Sequence, residues 1–335
     1  MASIADKFAH KEVFVTGGAG FVGSHIVDRL LLYGARVTVY DNFSTGREEF
    51  LGSALPHITL IRDDLLNVEK LTRSMLNMSF VFHIAANADI SKNELDPTKC
   101  FYQNTVATQN VLEAMRLNGV REIAFASTGS VYDEGSVVPT PEDVHIGMQS
   151  SPYGASKMAG EVLIQAYSSM FDMQAHIFRF VSLLGKRYTH GHIFDFYKQL
   201  RADPTRLTVR GNGKQNKSYL LIDDCVDAMF FALENSSRDV DAAGNPKKVH
   251  TFNLGTPESC LLNDSISYIT SHLGVSPVIS YTGGDRGWKG DVPFIFLDTK
   301  RINDLGWKPR ATIREAVVET VKFIDENRWV LERGK

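Results

Sequence analysis

Of the 335 residues only three are cysteine: Cys100, Cys225 and Cys260. They are scattered, odd in number and without the close pairing of a metal-ligand motif. A disulfide-stapled module is therefore excluded, no metal site is expected, and free thiols in a reducing, cytoplasmic setting are the expectation. Long apolar runs are missing too; none approaches the roughly 20 residues that cross a bilayer. The opening "MASIADKFAHKE" lacks the charged-then-apolar layout of a signal peptide, so no leader is expected. Nor is charge of one sign in excess. With 36 basic and 39 acidic residues the formal net charge is −3, which argues against a nucleic-acid or membrane partner. There is no internal repeat and no low-complexity tract. What is present is 43% hydrophobic residue, enough apolar material for one large or two medium domains.

The first half alternates strand-like and helix-like segments. "EVFVTG" (12–17), "RVTVYD" (36–41), "ITLIRDD" (58–64), "SFVFHIAA" (79–86), "REIAFAST" (121–128) and "AHIFRFV" (175–181) read as strands. Between them helices are expected at Phe21–Tyr33 (stopped by Gly34), near 67–76, from about Thr98 to Leu117 (stopped by Gly119), and after Ser151 and Pro152. On that last helix Ala155, Ala159, Val162, Leu163, Ala166 and Met170 follow the spacing that buries one face. This succession predicts an α/β fold, a Rossmann-type doubly wound parallel sheet. After Val181 the rhythm breaks. Residues 236–248 read as a surface loop, "VHTFNLG" (249–255) as a strand returning to the sheet, and Thr312 with Glu315 as the capping box of a helix carrying Ile313, Ala316, Val317, Val321 and Ile324.

The first strand runs into "TGGAGFVGSH" (16–25), where Gly18, Gly20 and Gly23 fit one dinucleotide fingerprint and Gly17, Gly20 and Gly23 another. Glycines let the backbone turn tightly and approach a pyrophosphate seated at the N-terminus of the next helix. Asp41 ends the second strand about 20 residues further on, where a carboxylate accepts from ribose hydroxyls and repels a 2′-phosphate; NAD is thus expected over NADP. Asp64, at the end of the third strand, could accept from an adenine amino group. Tyr153 and Lys157 stand one helical turn apart. A phenol near pKa 10 is no base at neutral pH, but a lysine cation and a positive nicotinamide ring both favour the phenolate. Such a phenolate can take a sugar hydroxyl's proton while hydride leaves carbon. Thr128 ends the preceding strand and could bond the reacting oxygen, with Ser127 as the competing hydroxyl.

Together "TGGAGFVGSH", "YDNFSTG" (40–46), "FHIAANAD" (82–89), "FASTGSVY" (125–132), "SPYGASK" (151–157) and "LGWKP" (305–309) resemble the extended short-chain dehydrogenases/reductases. Within them the resemblance is to the nucleotide-sugar epimerases and dehydratases, nearest the UDP-glucose 4-epimerase-like enzymes. It implies Tyr153 as base, Lys157 as its partner and Thr128 as third member. It implies NAD held by Gly17, Gly20, Phe21, Val22, Gly23, Asp41, Asn42, Asp64, Leu65, Ala85, Ala86, Asn104, Tyr153 and Lys157. It implies substrate contacts at Lys92, Thr128, Ser182, Lys217 and Arg286, with Ile295 where relatives set sugar size and "KRYTHGHIF" (186–194) wrapping the nucleotide sugar. Residues 1–181 plus about 219–260 would bind NAD. A smaller mixed α/β part, about 182–218 plus 261–335, would bind a nucleotide sugar, UDP-linked by resemblance. Dehydratases of the family carry an Asp-Glu pair after the threonine, and decarboxylating relatives keep a glutamate two positions on; here stand Gly129 and Ser130. The expectation is therefore a 4-epimerase acting on a UDP-hexose, N-acetylhexosamine or hexuronate, against a dehydratase or reductase of the same family, or a non-catalytic NAD sensor. A homodimer formed through the 98–117 and 151–170 helices is also implied.

Overall fold

The computed structural model describes residues 3–88, 96–133, 137–241, 243–284 and 294–332. Seven strands form its central sheet: β1 (Glu12–Thr16), β2 (Arg36–Asp41), β3 (Ile58–Arg62), β4 (Phe80–His83), β5 (Glu122–Ala126), β6 (Gln174–Phe180) and β7 (Val249–Leu254). They lie in the order β7-β6-β5-β4-β1-β2-β3, and every neighbouring pair is parallel. Because the order reverses between β1 and β4, a crevice opens at the carboxyl ends of those two strands, where such sheets take their ligands.

The strands inside the sheet are buried on both faces and send alternate side chains to each, whereas the edge strand β3 is only half-buried. Val13 and Val15 join one core, while Phe14 between them joins the other. The helices covering the sheet include α1 (Phe21–Leu32), α2 (Val68–Ser74), α3 (Ala107–Asn118) and α4 (Pro152–Phe171). Three more are α5 (His192–Ala202), α6 (Ile222–Asn235) and α7 (Leu262–Leu273), followed by α8 (Ile313–Glu326). A separate apolar cluster draws Ile193, Phe196 and Tyr197 of α5 against Ile266 and Ile269 of α7 and Val317 and Val321 of α8. Beside it the two-residue strand Asn216–Lys217 is sandwiched between Cys260–Leu261 and Phe294–Ile295.

The end signals read from the sequence act as expected. Ser151 caps α4 by accepting from Gly154 N at 3.1 Å, with Pro152 in the first turn. Thr312 and Glu315 form the reciprocal capping box of α8, and Gly119 ends α3 in the left-handed region at φ 70°. Each such cap contributes about 1 kcal/mol.

One expectation is corrected and one is refined. The apolar stripe of α4 is not its buried face: Ala155, Val162, Ala166 and Met170 are exposed, while Ala159 and Leu163 at its margin are half-buried, Leu163 against the core. The buried face is instead Tyr153, Gly154, Ser156, Lys157, Gly160, Glu161, Ile164 and Ser168. Close approach decides this, since a Cβ on Gly160 would lie 3.0 Å from the Phe125 ring and one on Gly154 2.4 Å from the Ser130 carbonyl oxygen. The helix expected over 98–117 forms, and it contains a π-helical stretch, Phe101–Val106, ahead of α3. The wider turn carries the buried Asn104, whose amide is claimed from outside the helix, and such insertions recur at functional sites.

Candidate active site

After Thr16 the chain turns through Gly17 at φ 67°, the left-handed region that favours glycine. A Cβ on Gly17 would stand 2.7 Å from the Ala85 backbone, and one on Gly23 would stand 2.1 Å from the Gly17 oxygen. Gly17 and Gly23 thus let α1 start directly over the end of β1, while Gly18 packs against Val39. Phe21, Val22 and Gly23 open that helix, and first-turn N–H groups have no carbonyl inside a helix to bond. A bare backbone at a helix N-terminus is an anion cradle.

Two carboxylates border it. Asp41, at the end of β2, is 7% exposed and accepts from Ala19 N at 2.9 Å and Phe43 N at 2.8 Å. Burial pushes its carboxyl up, and those two N–H groups with Arg62 oppose the shift. Asp64 accepts from Asn42 Nδ2 at 2.7 Å and from Gln103 Nε2 at 3.1 Å. Gln103 was not anticipated; nothing in a helical run marks one amide as facing a carboxylate 39 residues away. Bare backbone, helix terminus and paired strand-end acids have the chemistry to hold a pyrophosphate, a ribose and an adenine.

On the other side of the crevice β5 delivers Ser127 and Thr128. Ser127 turns away, its hydroxyl donating to Glu161 and its N–H donating to Phe178 O at 2.8 Å. Thr128 accepts from Ser130 N at 3.1 Å, closing a tight turn over Gly129–Val131, and its side chain lies against the Tyr153 phenol, where it favours the ionised form. Of the two candidate hydroxyls, the structure brings Thr128 to the tyrosine. Tyr153 is 8% exposed and Lys157 2%, with the lysine Nζ 4.0 Å from the centre of the Phe125 ring. Burial pushes the Tyr153 phenol up to about 12, opposed by Thr128. Burial likewise pushes Lys157 down to about 7, opposed by Glu161. The expected lysine-lowered phenol is therefore absent from the protein alone: desolvation favours the neutral form of both groups.

Behind the pair lies a buried polar chain. Thr16 Oγ1 accepts from Ile84 N at 3.1 Å and Ala85 N at 3.2 Å, so its own proton goes to His83 Nδ1 at 2.8 Å. His83 Nε2 then carries the hydrogen and donates to Thr108 Oγ1 at 2.9 Å. Burial and the Lys157 cation push this imidazole down to about 3, so it stays neutral. Asn104 donates to Ser156 Oγ at 2.9 Å and Asn87 O at 3.2 Å, and accepts from Asn87 N at 2.7 Å. Both its amide hydrogens are engaged by protein groups, which ties the strand-end loop to α4.

The remaining expected residues fall as follows. Leu65 is buried, with its carbonyl accepting from Asn110 Nδ2 at 3.0 Å. Ala85 and Ala86 are half-buried, the former against Gly17. Ser182 is exposed on the strand Ser182–Leu184, and Lys217 is half-buried, paired with Ile295. In the 186–194 stretch Tyr188 packs edge-on against Phe21, ring centres 5.9 Å apart. Lys92 and Arg286 lie outside the described residues. Among the described residues no group of three or more His, Cys, Asp or Glu is placed to hold a metal, and no helix is long and apolar enough to cross a membrane.

Comparison with known proteins was made on this geometry. The model of the NAD dependent epimerase/dehydratase family matches residues 13–255. A UDP-glucose 4-epimerase from Mycolicibacterium smegmatis is 31% identical over 319 residues, covering 92% of this chain and 97% of its own. UDP-glucuronic acid decarboxylase 4 of Arabidopsis thaliana is 30% identical over 325 residues, covering 92% of this chain and 68% of its own. Among solved structures, a crystal structure of a UDP-galactose 4-epimerase superposes with a TM-score of 0.84 at 35% identity, over 95% of this chain and 100% of that one.

Proposed function

This chain belongs to the NAD dependent epimerase/dehydratase family, and from that premise we propose that it is a nucleotide-sugar 4-epimerase acting on a UDP-linked hexose, N-acetylhexosamine or hexuronate. The observation that carries the reading is the buried Tyr153 with the Thr128 side chain against it and the buried Lys157 one turn on, in a chain whose first βα turn is a glycine cradle and which has no acid after the threonine.

Gly17, Gly20, Gly23 and the first N–H groups of α1 would hold the pyrophosphate of NAD, Asp41 its ribose and Asp64 its adenine. Residues 1–181 plus about 219–260 form that half of the site in this reading, and about 182–218 plus 261–335 take the nucleotide sugar. Thr128 and Tyr153 hold the sugar's 4-hydroxyl, and Tyr153 takes its proton. NAD held there would supply a reversible hydride acceptor for C4, which epimerisation requires on both faces of the sugar carbon. Tyr153 then gives its proton back to the new hydroxyl. A phenol pushed up to about 12 by burial needs positive charge beside it to act; Lys157 supplies that charge when protonated.

Room at the turn also favours epimerisation. A Cβ on Gly129 would lie 3.2 Å from an Ile295 methyl and 3.4 Å from those of Leu297, so a larger side chain there would press on the apolar residues packed over the turn. Elimination and decarboxylation lose the group they need at this spot. The test is incubation with UDP-, GDP-, CDP- and dTDP-sugars, followed by proton NMR and mass spectrometry. The expected product has the substrate's mass and an inverted C4. Similarity to a decarboxylase keeps one second reading open, net loss of carbon dioxide or water, which a lighter product would establish.

Two further parts of the reading follow. Leu117, Val162 and Met170 project from α3 and α4 at 57%, 55% and 76% exposure, and Phe101 and Tyr102 from the π-helical stretch before α3 at 53% and 52%. That apolar face suits a homodimer built on four helices. Three buried free thiols suit a cytoplasmic location.

A further inference from the structure

One turn beyond Lys157, helix α4 buries a carboxylate that the reaction above does not use. Glu161 is fully buried, and Arg179 of β6 grips it: Nη2 to Oε2 at 2.6 Å, Nε to Oε1 at 2.9 Å and to Oε2 at 3.2 Å. The Ser127 hydroxyl donates to the same carboxylate. A buried ion pair of this kind is poor evidence for stability, since apolar residues of similar volume often hold a fold equally well. The connections of the pair point elsewhere. Arg179 Nη1 donates to the Tyr132 hydroxyl at 2.8 Å, which donates to Asn253 Oδ1 at 2.7 Å. Asn253 Nδ2 donates to Thr140 O at 2.8 Å and Asp298 O at 3.0 Å. Asp298 follows Ile295 and Leu297, the residues packed over Gly129. At the near end Glu161 and Lys157 are neighbours four residues apart on the buried face.

We propose that Glu161 is a positioning residue for Lys157. Clamped by Arg179 and Ser127, its carboxylate stands one turn from the lysine as a fixed buried counter-charge, and the Arg179–Tyr132–Asn253 chain ties that carboxylate to the segment over the threonine turn. The proposal rests on reading Tyr153 and Lys157 as the reacting pair. Among the described residues, the other titratable groups at this spot supply no counter-charge. His83 of β4 is neutral, Tyr153 is a phenol, Cys100 lies beside Tyr153, and Arg179 is a cation beyond the carboxylate.

The test is to follow the lysine itself. Carbon-13 NMR of ε-labelled lysine in the protein without added cofactor or sugar gives the Lys157 titration, the signal being assigned by its loss in Lys157→Arg. In Glu161→Gln, which keeps hydrogen-bonding capacity but loses charge, the midpoint is expected to fall by about one pH unit. The alkaline limb of kcat should move to lower pH by the same amount, with KM for the sugar nucleotide changed far less. Should Glu161→Gln fold poorly, the double variant Glu161→Met with Arg179→Met replaces the pair by apolar side chains, and its lysine midpoint should also fall. A Lys157 midpoint equal to wild type in a folded variant overturns the proposal, and so does lost turnover without that shift. If the wild type turns over no nucleotide sugar, the functional reading fails, while the lysine titration still decides the role of Glu161.

Discussion

The two faces of helix α4 contradict each other. The face against the sheet carries Tyr153, Ser156, Lys157 and Glu161, and the face toward solvent carries Ala155, Val162, Ala166 and Met170. In an ordinary surface helix the apolar stripe goes inside. Here several polar groups are buried because they find buried partners: Thr128 beside Tyr153, Asn104 for Ser156, the Phe125 ring under Lys157, and Arg179 and Ser127 for Glu161. Glycines at 154 and 160 bring the helix close enough for those contacts. The lesson is that hydrophobic periodicity locates a helix but does not say which side is inside when a site has been built on it.

If the buried face is the working face, its tyrosine should matter most. Tyr153→Phe is expected to lower kcat by roughly two to four orders of magnitude, the worth of a positioned proton-transfer group. Turnover near wild type would remove Tyr153 from the chemistry. Next in size comes Glu161→Ala, which leaves the Arg179 cation buried and unpaired. It should destabilise the fold by about 3–5 kcal/mol in denaturant unfolding, and a loss near zero would mean that water enters freely.

A smaller effect tests the burial of Lys157. Its amine, pushed down to about 7 in the folded chain and near 10.4 unfolded, binds fewer protons folded than unfolded between those values. Stability from this group therefore rises with pH across that window and declines as the pH falls toward 7. Comparing melting temperatures of wild type and Lys157→Met without cofactor, the difference should move in favour of wild type from about pH 7 to about pH 9. A constant difference would place the amine in water.

The outward face should behave in the opposite way. Val162→Lys with Met170→Lys is expected to change folding stability by no more than about 0.5 kcal/mol, yet to shift the particle in light scattering from a dimer to the 37.3 kDa chain. A wild type already at that mass would mean the stripe has no partner copy.

Much of the first half was legible. The six strands expected before Val181 all form, with ends shifted by at most three residues, and Ser151, Thr312 and Gly119 act as read. Helix α6 was missed for a physical reason. Ile222, Cys225, Val226, Ala228, Met229, Phe230, Ala232 and Leu233 are buried around most of its circumference, which leaves no polar stripe to reveal a period. The paired strands beyond Val181 were missed because two to four residues cannot display alternation. In the candidate site, the Tyr153–Lys157 step was legible through spacing, and Thr128 only as one of two strand-end hydroxyls. Gln103, His83 and Glu161 were not, since their partners are far along the chain.

What the sequence determined alone is what local chemistry dictates: where strands stop, where helices start, and that glycines, a strand-end acid and a tyrosine–lysine step occur in the order a dinucleotide site requires. Only the tertiary structure decided which face of α4 is buried, that Thr128 rather than Ser127 meets the tyrosine, and that Glu161 answers to Arg179. Those outcomes depend on how closely two backbones approach and on which buried group satisfies which, and both are properties of residues brought together from distant parts of the chain.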